Sequence, residues 1–298
     1  MKSTRIFILT LLAMIAFASN SLLCRLALKQ TSIDAASFTF VRIVWGAAAL
    51  WLIMKMRHAS AVAAVYLSRR SPAKADDRRI DGNWISALAL FVYAVGFSFA
   101  YVNLSAGTGA LLLFGAVQAT MILWGLHKGE RLDAIQILGF VVAVSGLVVL
   151  VFPGLSAPPL IGSILMLGAG VAWGIYSLRG QAGRDAVAIT AGNFLRAVPF
   201  AAAISIILLS RARVDHTGIL YAVVSGAITS GLGYVVWYSA LSGLKATSAA
   251  TVQLSVPVLA AAGGIFLLGE PITLRYALAS LAILGGIALV MLERNRAL

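Results

Sequence analysis

All ten acidic residues of this chain lie at or beside the ends of apolar runs. They are Asp34, Asp76, Asp77, Asp81, Glu130, Asp133, Asp185, Asp215, Glu270 and Glu293, and His58, His127 and His216 lie in similar places. General acid–base catalysis and metal-assisted hydrolysis need a carboxylate or imidazole at the reacting centre. The apolar interior offers neither, so the chain reads as a non-enzyme with no metal and no cofactor. A carboxylate on the first apolar run that would hold a cationic drug is also missing, and a proton relay has no carrier. Facilitated diffusion or exchange fits better than strict proton antiport. The ionisable groups nearest the interior are Arg25, Arg42, Arg179 and Arg196. An arginine at the centre of an isolated span costs about 2.5–3.5 kcal/mol on insertion scales. Arg42 and Arg196 are therefore expected to bond backbone carbonyls or helix ends. The alternative is that one of them attracts a substrate carboxylate.

The neutral polar and aromatic residues offer recognition chemistry. Tyr93, Phe97 and Tyr101 are spaced four apart and share one helix face. Trp173 and Tyr176 share another, and Tyr234, Trp237 and Tyr238 crowd a third run. Asn20, Gln118 and Gln253 are amides inside apolar stretches. Aromatic residues near span ends form interfacial belts, which suits Trp51, Trp84 and Tyr276. The others lie deeper. A cavity lined by Asn20, Tyr93, Phe97, Tyr101, Gln118, Trp173, Tyr176, Tyr234, Trp237 and Gln253 would suit an amphipathic small molecule, with stacking on its body and hydrogen bonds to its head. Core packing is the competing reading of the same aromatics.

The elements that must position these groups are membrane helices. The chain is 61% hydrophobic and 11% charged, with mean hydropathy +0.96. A spanning helix takes about 20 apolar residues. Apolar runs near 5–25, 35–54, 84–103, 107–125, 133–152, 160–178, 187–209, 218–241, 247–268 and 274–292 give ten spans. They are too long for barrel strands and lack a period of two. The net charge of +13 reads as a topology signal, not a nucleic-acid surface. With a cytoplasmic N-terminus, 16 of the 23 Lys and Arg residues fall inside, five outside, and Arg42 and Arg196 within spans. That asymmetry predicts a multi-pass protein with both termini cytoplasmic. The apolar run continues past Ala16-Phe17-Ala18, so no signal-peptide cleavage is expected there. Cys24, the lone cysteine, reads as a packing residue.

The chain repeats itself. At an offset of 140 residues Leu104 to Asp133 matches Leu244 to Thr273, with Gly129/Gly269 and Glu130/Glu270 in register, and the match continues to Gly146/Gly286. At an offset of 154, Arg25 matches Arg179, Phe40 matches Phe194 and Arg42 matches Arg196. The fall from 154 to 140 puts 14 extra residues in the first copy, in the basic loop near 56–83. Five spans per copy is an odd number, so the second copy must enter from the opposite side: two inverted repeats in an all-α membrane protein. Pro199 and Pro257 fall inside spans and, with Gly231, are candidate hinges. Gly139, Ala143 and Gly146, with Ala282, Gly285 and Gly286, allow close helix packing. A monomer is the expectation, with a dimer the alternative.

Asn20, Phe40-Val41-Arg42, Ala172-Trp173-Gly174, Phe194-Leu195-Arg196, and Ala246-Thr247-Ser248-Ala249 through Gly269-Glu270-Pro271 together resemble the drug/metabolite transporter superfamily. The likeness covers the whole chain. It points to ten-helix exporters built from two EamA repeats, here 1–152 and 160–298, and within them to aromatic amino-acid exporters of the YddG type. Phe17-Ala18-Ser19 and Arg131 depart from that pattern. The resemblance implies a bacterial inner-membrane exporter of amino acids or similar metabolites working by alternating access. Its partners would be a small-molecule substrate and the lipid bilayer. It implies a cavity walled by helices 1, 3, 4, 6, 8 and 9, gates at 2 and 7, and support from 5 and 10. Nucleotide-sugar or drug transport, and a channel-like pore, are the alternatives.

Overall fold

The computed structural model describes residues 2–68, 80–129, 131–154, 157–180, 185–241, 244 and 252–294. Ten helical stretches fill them: α1 (Lys2–Gln30), α2 (Ala35–Ser68), α3 (Trp84–Tyr101), α4 (Ala106–His127), α5 (Ala134–Val151), α6 (Leu160–Gly180), α7 (Ala186–Ile207), α8 (consecutive segments His216–Val224, Ser225–Leu232 and Gly233–Leu241), α9 (Ser255–Leu268) and α10 (Leu274–Arg294). Among the described residues there is no strand. Nine of the helices are long and apolar enough to cross a membrane, and the tenth, α9, is apolar but shorter. The expected start of that span, 247–251, lies outside the described residues, as does 69–79 of the basic loop. Large side chains such as Phe266, Ile161, Ile207 and Leu281 are exposed, as lipid-facing positions must be.

The packing pairs are symmetric. α1 packs on α8 and α3 on α6; α2 packs on both α7 and α8, and α3 packs on α7; α5 packs on α10. That exchange of partners is the pattern produced by a two-fold axis between two five-helix halves. α5 and α10 touch backbone to backbone: a Cβ on Gly286 would lie 2.4 Å from the Gly139 carbonyl oxygen. Gly129 and Gly269 both take positive φ, 92° and 63°, which only glycine adopts readily.

One expectation changes, and the structure places the three hinge candidates. α2 does not stop near residue 54 but runs to Ser68. Loss of hydropathy marks the edge of the bilayer, and the alanine-rich stretch after it has no Pro or Gly to end a helix. Pro257 is the third residue of α9, just after a turn at Leu254 that follows helical residues 252–253. Gly231 lies in a stretch, Ser225–Leu232, that winds as a π-helix. Pro199 does lie inside α7, on an exposed face.

Candidate functional site

Tyr93 is central to the site. It is the tenth of the 18 residues of α3, about mid-depth, and its side chain is buried. Its ring lies 4.7 Å from Trp173 and 5.4 Å from Phe97. Trp173 in turn stacks on Tyr234 at 5.2 Å and on Tyr176 at 5.3 Å. Phe17 meets Tyr234 edge-on at 5.9 Å. These rings surround a cavity of about 20 Å³ lined by residues of α1, α3, α4, α6 and α8, with Asn20, Phe114 and Ser230 among them. One water needs roughly 10–15 Å³ by this measure, so this conformation is closed around the site and a larger solute enters only when helices part.

Arg42 of α2 reaches the same cluster. It is 2% exposed. Its Nη2 donates to the Tyr93 hydroxyl at 3.0 Å and its Nε to Ser230 Oγ at 3.3 Å. Its guanidinium carbon lies 4.9 Å from the Phe97 ring centre and 5.3 Å from that of Tyr93, in cation–π range. Among the described residues its Nη1 has no partner. The π-helical stretch makes this reach possible. A Cβ on Gly226 would lie 2.2 Å from the Arg42 carbonyl oxygen, so α8 presses directly on α2. The expectation that Arg42 bonds backbone carbonyls is therefore wrong: its partners are side chains of the aromatic cluster. For Arg196 it holds, because its Nη1 donates to the carbonyls of Asp81 at 2.9 Å and Gly192 at 3.0 Å.

Asn20 faces the cluster from α1. Its Nδ2 donates to the Tyr93 hydroxyl at 3.4 Å, and its Oδ1 accepts from Ser225 at 2.7 Å and Thr229 at 3.3 Å. Of the residues expected to line the cavity, the structure brings Asn20, Tyr93, Phe97, Trp173 and Tyr234 together. Tyr176 is behind Trp173. Trp237 packs edge-on to Phe17 instead of lining the cavity. Tyr101 is wholly buried, and its hydroxyl donates to the Ala106 carbonyl at 3.2 Å. That bond belongs to the α3–α4 turn. Gln118 is buried one turn beyond Phe114 with its Oε1 unpartnered, and neither it nor Gln253 is among the lining residues. Among the described residues α9 lines none of the cavity. Phe17, Ser21, Leu113, Phe114, Thr229 and Ser230 line the cavity without having been singled out by sequence spacing. The glycines around Ser230 were the available signal.

One end of the bundle is tied by charge. Arg25 Nε donates to Glu270 Oε1 at 3.0 Å, and its Nη1 donates to the carbonyls of Tyr101 and Val102 at 2.9 Å each. Glu270 Oε2 accepts the Ala106 N–H at 2.7 Å, a carboxylate at the start of α4 where the helix dipole favours it. Gly269 places it there: its positive φ closes α9, and its N–H bonds the Ile265 carbonyl at 3.1 Å, an αL ending. Beside this knot is a larger recess of about 210 Å³, lined in part by Ser105, Thr108, Glu270 and Tyr276. At the opposite end Arg179 has, among the described residues, neutral partners, Ser86 Oγ at 3.2 Å and Asn83 Oδ1 at 3.4 Å.

Among the described residues no group of three or more His, Cys, Asp or Glu side chains is placed to hold a metal. The model of the EamA-like transporter family matches residues 160–292. The chain is 54% identical, over 99% of its length and 97% of the other's, to an uncharacterized protein of Pseudomonas aeruginosa. Two uncharacterized transporters of Archaeoglobus fulgidus are 28% and 24% identical, over 70% and 71% of this chain and 78% and 77% of theirs. One crystal structure, 18% identical, superposes with a TM-score of 0.60 over 98% of this chain and 99% of its own, a likeness of fold. With ten apolar helices around a buried aromatic and arginine site, the chain is a multi-pass membrane protein whose second half is similar to the EamA-like transporter family.

Proposed function

We propose that the protein exports amino acids, aromatic or hydrophobic ones, or similar small metabolites across the bacterial inner membrane. Both termini are cytoplasmic on this reading, and the two halves, 1–152 and 160–298, alternate access to the site between them. One observation carries it: Tyr93, Phe97, Trp173 and Tyr234 surround a mid-depth cavity beside a buried guanidinium with an unused N–H. Stacked rings bind an apolar body, and a guanidinium binds a carboxylate in a fixed fork geometry. The Arg25–Glu270 knot closes the end that the charge distribution places outside. A phosphorylated solute, which carries more negative charge, fits one arginine less well. Without an interior carboxylate or imidazole among the described residues, movement is by exchange or facilitated diffusion.

Counterflow in proteoliposomes tests this. Vesicles loaded with unlabelled phenylalanine should accelerate and saturate uptake of labelled phenylalanine, with no dependence on an imposed pH gradient. Absence of counterflow with every amino acid and with their carboxylate analogues would sink the reading. Non-saturable flux would favour a pore.

A further inference from the structure

The hydrogen-bond polarity of the site specifies its ligand more narrowly than its shape does. An acceptor and a donor can each be counted around the cavity. Asn20 Oδ1 accepts from Ser225 at 2.7 Å, with the Thr229 hydroxyl farther off at 3.3 Å. The Thr229 hydroxyl has one proton and two acceptors within reach, Asn20 Oδ1 and, closer at 2.8 Å, the Ser225 carbonyl. The Tyr93 oxygen accepts from both Arg42 and Asn20, and its own O–H has no acceptor of its own. Ser230 Oγ accepts from Arg42 Nε and likewise keeps its proton to give. Arg42 Nη1 is buried with both of its N–H bonds free. The unspent groups that carry charge are therefore the N–H donors of Arg42 Nη1.

The charge agrees. Among the described residues the ion pairs are Arg25–Glu270 and Arg57–Asp185, and Arg42 belongs to neither. A buried charge without a counter-ion is costly by several kcal/mol. No carboxylate lines the cavity, so a substrate ammonium would find no opposite charge and would lie close to a guanidinium in a poorly screened place.

We infer that the preferred solute is a net anion: an aromatic or bulky apolar monocarboxylate without a free ammonium, whose carboxylate takes Arg42 Nη1, the Tyr93 hydroxyl and the Ser230 hydroxyl. This rests on the transport reading above and narrows it, because it places a 2-hydroxy or 2-acylamino acid ahead of the parent amino acid. The class of reaction that would supply such a solute is one that removes or masks the amino group of an aromatic amino acid. Arg42 is the specificity-determining residue, with Tyr93 and Ser230 holding its fork.

Four aromatic ligands separate the possibilities: 3-phenyllactate (anion), phenylalanine (zwitterion), phenylalanine methyl ester (no carboxylate) and phenyl phosphate (phosphate in place of carboxylate). Binding to the purified full chain is read from quenching of tryptophan fluorescence, and transport from counterflow of labelled 3-phenyllactate. 3-Phenyllactate should bind at least about tenfold more tightly than phenylalanine, and the ester should not bind. Arg42→Gln should remove that preference, and Arg42→Lys should preserve its order at lower affinity. The ligand order in the unaltered protein decides the matter even where a variant does not fold. Phenylalanine binding as tightly as 3-phenyllactate would overturn the inference and leave the amino-acid exporter standing. Phenyl phosphate binding more tightly than 3-phenyllactate would overturn the carboxylate assignment. Failure of all the ligands would bring down both this inference and the aromatic-solute reading.

Discussion

Arg42 and Arg196 occupy matching positions in the two halves of the chain, each two residues after a phenylalanine and within an apolar run. The structure treats them differently. Arg196 is half-buried and spends its Nη1 on two backbone carbonyls. Arg42 is 2% exposed, holds two side chains of the aromatic cluster and keeps Nη1 free. An inverted duplication supplies two similar arginines, and the neighbours decide which becomes a binding group. For Arg196 the neighbour is the segment before α3, whose Asp81 carbonyl lies on α7. For Arg42 it is the π-helical part of α8, which brings Ser230 into range.

The largest expected effect separates the pair directly. Removing one partner of a buried charge interaction costs about 2–5 kcal/mol, so Arg42→Gln should lower substrate affinity at least about thirtyfold. Arg196→Gln should leave affinity within about threefold. Both are read as half-saturation in counterflow. Comparable losses would mean the two arginines are equivalent after all.

The ends of the bundle extend the comparison. Glu270→Gln breaks a buried ion pair, worth about 3–5 kcal/mol when one partner is removed. The Arg25 end should then open more often, and the buried thiol of Cys24, next to Arg25, should react faster with a membrane-impermeant maleimide. Arg179→Gln removes only bonds to neutral partners and should change Cys24 labelling little. Unchanged labelling in Glu270→Gln would mean that the knot is not what holds that end shut.

Within the aromatic cluster, Trp173→Ala removes stacking against both Tyr176 and Tyr234. Each such contact is worth about 0.5–1.5 kcal/mol beyond burial, so affinity for an aromatic solute should fall about tenfold. Trp237→Ala, behind Phe17, should change it less than threefold. A larger loss at Trp237 would move the site toward α8 and away from α6.

The smallest effect concerns a cap. Asp34 accepts from the N–H groups of Ala36, Ser37 and Arg213. Burial pushes its carboxyl up, but the hydrogen bonds from Ser37, Arg213 and Ala36 outweigh that and hold it below the usual carboxylate value. A depressed carboxylate stabilises the fold above its unfolded pKa, and that contribution is lost as pH falls through the folded value. Asp34→Ala should cost about 1 kcal/mol at neutral pH and progressively less in acid, read from thermal unfolding in detergent.

The helices were legible because hydropathy marks spans directly, and Gly129 and Gly269 were legible as chain breaks because their positive φ demands glycine. The identity of the central rings was partly legible: four-residue spacing put Tyr93, Phe97 and Tyr101 on one face. Spacing does not say how deep each residue sits, so Tyr101 was grouped with the cavity although it closes the α3–α4 turn. The Arg42–Ser230 contact was illegible for a different reason. It joins residues 188 positions apart through a π-helical stretch, and helical periodicity assumes 3.6 residues per turn throughout. Glu270 was read as a loop carboxylate. Its place is a helix end, yet it is 8% exposed, because the turn set by Gly269 directs it inward.

The most direct measurement is the half-saturation for counterflow of labelled 3-phenyllactate and phenylalanine in proteoliposomes of the unaltered protein, Arg42→Gln and Arg196→Gln. The account predicts saturable counterflow in the unaltered protein and in Arg196→Gln, with the carboxylate solute ahead of the zwitterion, and a loss of at least about thirtyfold in Arg42→Gln. Saturable counterflow that survives unchanged in Arg42→Gln would contradict it, because the buried guanidinium would then have no part in holding the solute.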